Sequence, residues 1–125
     1  MIFGIGTDIV EIKRIKSINS IDRFANKILS ENELNIFNKL KQEKKITFLS
    51  KQFAGKEAIS KATGIGITKH TRFKDIEILR DKNGKPILNA IDEFKKHIGN
   101  LGITKTHVSL SDETNYAIAF AVLEK

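Results

Sequence analysis

The chain has 125 residues, 40% apolar and 30% charged, with 22 Lys and Arg against 15 Asp and Glu for a formal charge of +7, one proline and no cysteine. That length fits one domain, residues 1–125, which buries roughly two-thirds of its unfolded surface around a single core, and the balance is that of a soluble globular chain rather than a disordered one. Disulfides, thiolate metal sites and thiol nucleophiles are excluded, and with no basic-then-apolar leader and no membrane-length apolar run the default is cytoplasmic residence.

In chain order, "IFGIGTDIV" at residues 2–10 combines β-branched residues with Gly4 and Gly6, which predicts a strand that another backbone or a ligand approaches closely. From Lys13 to Lys41 the pattern gives two or three short helices. Ser30 and Glu33 form a capping box there, and Leu34, Phe37 and Leu40 repeat at helical spacing. "KKITFLSKQFAGKEAISKATG", 44–64, is the clearest helix, with Ile46, Leu49, Phe53, Ala58 and Ala62 roughly on one stripe and Gly64 at its C-terminal cap. "DIEILRDKNGKPIL", 75–88, reads as two strands around an Asn83-Gly84 turn, and 89–102 as a helix started by Asn89 and ended near Gly99 or Gly102. The last twenty residues give two antiparallel strands joined by "DETN", in which Tyr116, Ile118, Phe120 and Val122 alternate with alanines. The expected fold class is α+β, with helices packed on one face of a mainly antiparallel sheet.

Asp8 is the odd residue of the first strand. An ionised carboxylate among Ile5, Ile9, Val10 and Ile12 loses hydration that only a cation or several donors replace. It either bonds a turn or caps a following helix, or it holds something positive. Glu57 and Lys61 stand four apart on the long helix, beside Gly55 and Ala58, and read either as an exposed ion pair or as part of a site. Asp8 and Glu57 brought together would repel unless a hard cation sat between them. Magnesium fits, since it takes one or two carboxylates and completes its shell with water and substrate phosphate, and Lys61 then becomes a donor to that phosphate. His107 opens the strand "HVSLSD" and reads as either structural or a substrate contact, whereas His70 and His97 fall in polar segments and receive no role. "GIGITKH", 64–70, offers a glycine pair but neither a Walker A loop nor a full dinucleotide fingerprint.

The positive field draws anionic partners in general, and the basic cluster of Lys13, Arg14, Lys16 and Arg23 is either a solvated face or the dock for an acidic protein. A nucleic-acid module is the competing class. Against it, the eight phenylalanines fall mostly at apolar-periodic positions, with no tryptophan and one tyrosine, so no stacking platform is evident, and a carboxylate pair repels phosphate without a metal. A non-catalytic interaction protein on the same fold is the third.

"GIGTDIVEI", "FAGKEAISKA" and "HVSLSDETNYAIAFAVLE", in this order and spacing, resemble the signature blocks of the bacterial holo-acyl-carrier-protein synthases, small 4′-phosphopantetheinyl transferases. The resemblance implies transfer of the phosphopantetheine arm from coenzyme A to a serine of apo acyl carrier protein, in support of fatty acid biosynthesis, with release of adenosine 3′,5′-bisphosphate. It assigns magnesium on the coenzyme A diphosphate to Asp8 and Glu57, and Lys61 to the adjoining phosphate. It further implies that Gly64, Asn83, Gly84, Lys85, Pro86 and His107 lie along the coenzyme A nucleotide, and that Arg14 and Arg23 meet the acidic helix of the carrier protein. It also implies a homotrimer with active sites between chains, no nucleic-acid or membrane partner, and a serine nucleophile supplied by the partner. The base that takes the serine proton stays open between Glu57 and a water on the magnesium. This chain reads Asp112 where many relatives have histidine, and Phe53-Ala54-Gly55 where a tryptophan or other large aromatic is common ahead of "KEA".

Overall fold

Strand β1 (Ile2–Glu11) lies against the longest helix, α4 (Gln42–Ala62), and its two glycines exist for that contact. A Cβ on Gly4 would overlap the carbonyl oxygen of Ala62, and one on Gly6 that of Ala58. The close backbone expected beside these glycines is therefore α4. The structure, a computed structural model, describes residues 1–125.

Between β1 and α4 the chain folds α1 (Ile12–Lys16), α2 (Ile21–Ile28) and α3 (Glu31–Lys39). Ser30 caps α3 through the full reciprocal box with Glu33. After α4 come a 3-10 turn (Phe73–Asp75), β2 (Ile76–Arg80), β3 (Pro86–Ala90), α5 (Asp92–Asn100), β4 (Lys105–Asp112) and β5 (Tyr116–Glu124). The fold class is α+β and every strand pairing is antiparallel. The strands form two sheets rather than one: β1-β5-β4, on whose one face α4 rests, and the hairpin β2-β3. Nineteen buried apolar residues make one core cluster between α4, the sheet and the hairpin.

Alternation places Ala117, Ala119, Ala121 and Leu123 toward α4, with Gly6 and Val10 beside them, all buried. Ile5, Ile9, Ile118 and Phe120 face the other way and are 45–61% exposed, as is Tyr116 at 43%. The small side chains face inward because α4 comes so close. The large ones consequently sit on an open apolar face, Tyr116 and Phe120 among them.

Three local expectations need correction. Asn89 does not start the fifth helix: it belongs to β3, its side chain donates to Glu77, and Ile91 is the residue before α5. The hairpin turn is not a two-residue Asn-Gly turn but the five-residue loop between Arg80 and Pro86, in which Asp81 Oδ1 accepts from the backbone of Asn83 and Lys85 and only Gly84 has positive φ. Finally, α4 is not buried along one stripe. From Leu49 onward Ser50, Gln52, Lys56 and Ser60 are as buried as Ala54, Ala58 and Ile59, because the helix is enclosed by sheet, hairpin and short helices together.

Candidate active site

Where β1 crosses α4, the two predicted carboxylates come from different elements. Asp8 lies on the strand face of Gly6, which rests on Ala58, and Glu57 is the residue before Ala58 in the helix. Lys61, one turn on, donates from Nζ to Asp8 Oδ1 at 3.0 Å and to the Thr7 carbonyl at 3.1 Å. Asp8 is largely covered, at 16% side-chain exposure, while Lys61 is half exposed. No ion pair joins Glu57 to Lys61, so the simple i, i+4 helix pair is not what forms; the lysine turns across to the strand. Nor does Asp8 cap α1, whose N-cap is Glu11 without a side-chain bond. The positive group that Asp8 meets in this chain is the Lys61 ammonium.

Glu57 keeps the proton more strongly than an ordinary glutamate. Burial is the first cause, the Asp8 charge the second, and Lys61 opposes both. Two carboxylates whose charges repel, on a surface rich in glycine and alanine, are placed to share a cation. The donor set tests which one. No third Asp, Glu or His joins them. That excludes a site closed by protein ligands, and it suits a hard cation such as magnesium that takes one or two carboxylates and leaves its other positions to water and phosphate oxygen.

The remaining predicted residues lie on other elements, except Gly64, whose amide donates to the Lys61 carbonyl at 2.9 Å. Gly64 follows the Thr63 C-cap of α4 with φ of +91°, exposed. Asn83, Gly84 and Lys85 are exposed in the hairpin loop, with Pro86 half-buried at the start of β3. His107 is on the open face of the sheet, opposite Val122, whereas Asp8 is opposite Ala119 on the α4 face. Its Nε2 pairs with Glu124 Oε2 at 2.6 Å, and that bond holds the Glu124 carboxyl below the usual glutamate range. Arg14 and Arg23 are exposed on α1 and α2, free of ion pairs. Two hollows of about 800 Å³ each lie between α2, α3 and the 3-10 turn, and between α1 and the β4–β5 loop. Neither includes Asp8, Glu57 or Lys61.

Sequence reasoning missed Lys56. It is fully buried, and its ammonium donates to Glu33 Oε1 at 2.7 Å and to the carbonyls of Phe73 and Ile76 at 2.8 and 2.7 Å. Glu33 also accepts from Gln52 Nε2, the Ser30 amide and the Ile78 amide. Burial pulls the lysine below its ordinary range and Glu33 opposes that pull. The cluster ties α3, α4 and the hairpin together directly beside Glu57. A lysine directly after Phe53, Ala54 and Gly55, on the stretch of helix that carries the core residues, was the available signal.

A sequence model described as the 4′-phosphopantetheinyl transferase superfamily matches residues 4–121. This chain belongs to that superfamily. Among its relatives, the holo-[acyl-carrier-protein] synthase of Blochmanniella pennsylvanica is 45% identical over 127 residues, all of both chains. The solved holo-[acyl-carrier-protein] synthase of Neisseria meningitidis superposes with a TM-score of 0.91 at 39% identity, covering 100% of each chain. That of Bacillus anthracis, in complex with CoA (3′,5′-ADP), gives 0.84 at 41% identity, covering 98% of this chain and 96% of the other. In this member of the superfamily, α4 laid on a three-stranded antiparallel sheet carries Glu57 beside the strand of Asp8.

Proposed function

We propose that this chain, acting as one domain in the cytoplasm, moves the 4′-phosphopantetheine arm of coenzyme A to a serine of apo acyl carrier protein and so supports fatty acid biosynthesis. The observation that carries this reading is the convergence of Asp8 and Glu57 from β1 and α4 with Lys61 Nζ at 3.0 Å from Asp8. The serine oxygen of the partner forms a bond to the phosphorus bearing the pantetheine arm, and the bond from that phosphorus to the bridging oxygen breaks, releasing adenosine 3′,5′-bisphosphate. Magnesium held by Asp8 and Glu57 supplies charge neutralisation to the diphosphate when it is bound. Asp8, largely covered, offers a fixed oxygen, and Glu57, whose hold on its proton is strengthened by burial and then by Asp8, offers the second when ionised. Lys61, half exposed, provides a cationic donor at the edge of the pair for the charge that develops on phosphate oxygens. Gly64, the Asn83–Pro86 turn and His107 serve the nucleotide.

His107 stands on the opposite sheet face from Asp8 within a chain, and the apolar sheet face is uncovered. Both features support a homotrimer in which one chain's carboxylates work beside a neighbour's turn. Phe120→Glu, on that face, is expected to give monomers by sedimentation with unchanged circular dichroism, and to lose transfer. A trimer of wild-type size would refute the role of this face.

Arg14 and Arg23, unpaired on the exposed side of α1 and α2, are suited to the acidic helix of the carrier protein. Arg14→Ala is expected to weaken carrier binding, by about 1 kcal/mol or more in titration calorimetry at low salt, with coenzyme A binding intact. Loss of coenzyme A affinity instead would place the dock elsewhere.

The direct test is the intact mass of apo acyl carrier protein after incubation with this protein, coenzyme A and magnesium. A gain of one phosphopantetheinyl arm that vanishes with a chelator is expected. No gain across several carrier proteins, with the protein folded, would reject the reading.

A further inference from the structure

The loop after α4 places His70 face to face with His97 of α5. Their ring centres are 6.0 Å apart and their planes within 15°. His97 Nε2 is buried and has no hydrogen-bond partner. Such an orphaned nitrogen is costly unless something polar meets it, and a bound ion is one of the few things that does. The rings border a hollow of about 300 Å³ lined only by His70, Glu93, Lys96, His97 and Asn100. The backbone that carries His70 is held in place: its amide donates to Thr68 Oγ1 at 3.1 Å, the Thr68 amide donates to Thr71 Oγ1 at 2.8 Å, and Thr71 Oγ1 donates to the Gly66 carbonyl.

We propose that His70 and His97 together bind one divalent transition-metal ion of the zinc, nickel or copper class. Imidazole nitrogen suits these ions and not magnesium, so the site is chemically distinct from Asp8 and Glu57. Metal–nitrogen bonds of about 2.0–2.1 Å put two ring centres roughly 5–6 Å apart, which matches the spacing present. Sharing an ion asks the rings to tilt out of their stack, and the exposed His70 has room to do so. Glu93, one turn before His97 on α5, is engaged with Lys96 at 3.3 Å, so two imidazoles are the protein's ligands and water completes the shell. Two ligands make an exchangeable ion rather than a structural one. Burial and the neighbouring His70 both hold His97 below the usual histidine range, which leaves its lone pair available at pH 7. An ion here would pin the Gly64–Thr71 loop to α5.

The chain has three histidines, and His107, already paired with Glu124, is an internal reference. Paramagnetic Ni²⁺ added below one equivalent to the full-length protein is expected to broaden the ring-proton NMR signals of His70 and His97 before those of His107, whereas Mg²⁺ leaves all three unmoved. His70→Asn, at an exposed position, is expected to raise the Ni²⁺ needed to broaden His97 at least tenfold with the fold unchanged. Ring signals of His70 and His97 left sharp below one equivalent of Ni²⁺, or an unchanged titration of His97 in His70→Asn, would overturn the site. Neither readout depends on transferase activity.

Discussion

Glu57→Gln is expected to lower phosphopantetheine transfer roughly 10³-fold or more, since a lost carboxylate ligand removes several kcal/mol of charge stabilisation at about 1.4 kcal/mol per tenfold. The same change is expected to stabilise the metal-free protein at neutral pH. In the folded chain Glu57 holds its proton above the ordinary value of 4.5, because of burial and then Asp8. Folded protein therefore binds more protons than unfolded protein in the window between 4.5 and the raised pKa, and its stability falls as pH rises through that window. Glutamine cannot ionise, so the gain is fully present above the raised pKa and fades as pH falls toward 4.5. Thermal unfolding in chelator at pH 7.5 and at successively lower pH checks the sign, and a wild-type protein more stable than Glu57→Gln at pH 7.5 would show that the carboxylates are not in conflict. Loss of activity with a gain in stability is the mark of a group kept for its ligand rather than for the fold.

Lys56→Met reverses that relation and is expected to be the most damaging single change to stability. It strands the fully buried Glu33 carboxylate and two carbonyls, at a cost of about 3–5 kcal/mol. Adding Glu33→Gln removes the bare charge and is expected to recover part of the loss, because an amide still offers an oxygen to the Ile78 or Ser30 amide. Urea denaturation of both variants and of Glu33→Gln closes the cycle. A Lys56→Met cost under about 1 kcal/mol would mean that the cluster tolerates an unpaired carboxylate, contrary to the usual price of burying one.

Features that depend on neighbours in sequence were readable without the fold. Ser30 and Glu33 announced a helix start, Gly4 and Gly6 a close approach, and Gly55 a thin point on α4, where a Cβ would stand 2.6 Å from Ile78 Cδ1 and 2.9 Å from Leu110 Cδ2. Asp8 was recognisable as an anomaly, the helical spacing picked out Glu57 and Lys61, and the resemblance assigned the three a common role. What the sequence left hidden depends on residues far apart along the chain. Lys61 reaches Asp8 across 53 positions, and Lys56 reaches Glu33 across 23, so helical spacing pointed only to the pair that does not form. The alternation in "YAIAFAV" is symmetric: either set of side chains can face inward, and only the nearness of α4 decides for the alanines. Asn89 looked like a cap because Asn is a good one, but the strand continued through it and Glu77 engaged its amide.

The contact of Gly6 with the Ala58 carbonyl has a consequence for the chemistry. The gauge of the Asp8–Glu57 pair, the span a cation would bridge under the proposed function, is set by atoms that are missing. A single methyl on residue 6 would wedge β1 away from α4 two residues before Asp8 and beside Glu57, leaving every ligand in place while widening the gap between them. Positions 4 and 6 thus belong to the site as spacers, though neither has a side chain to offer it.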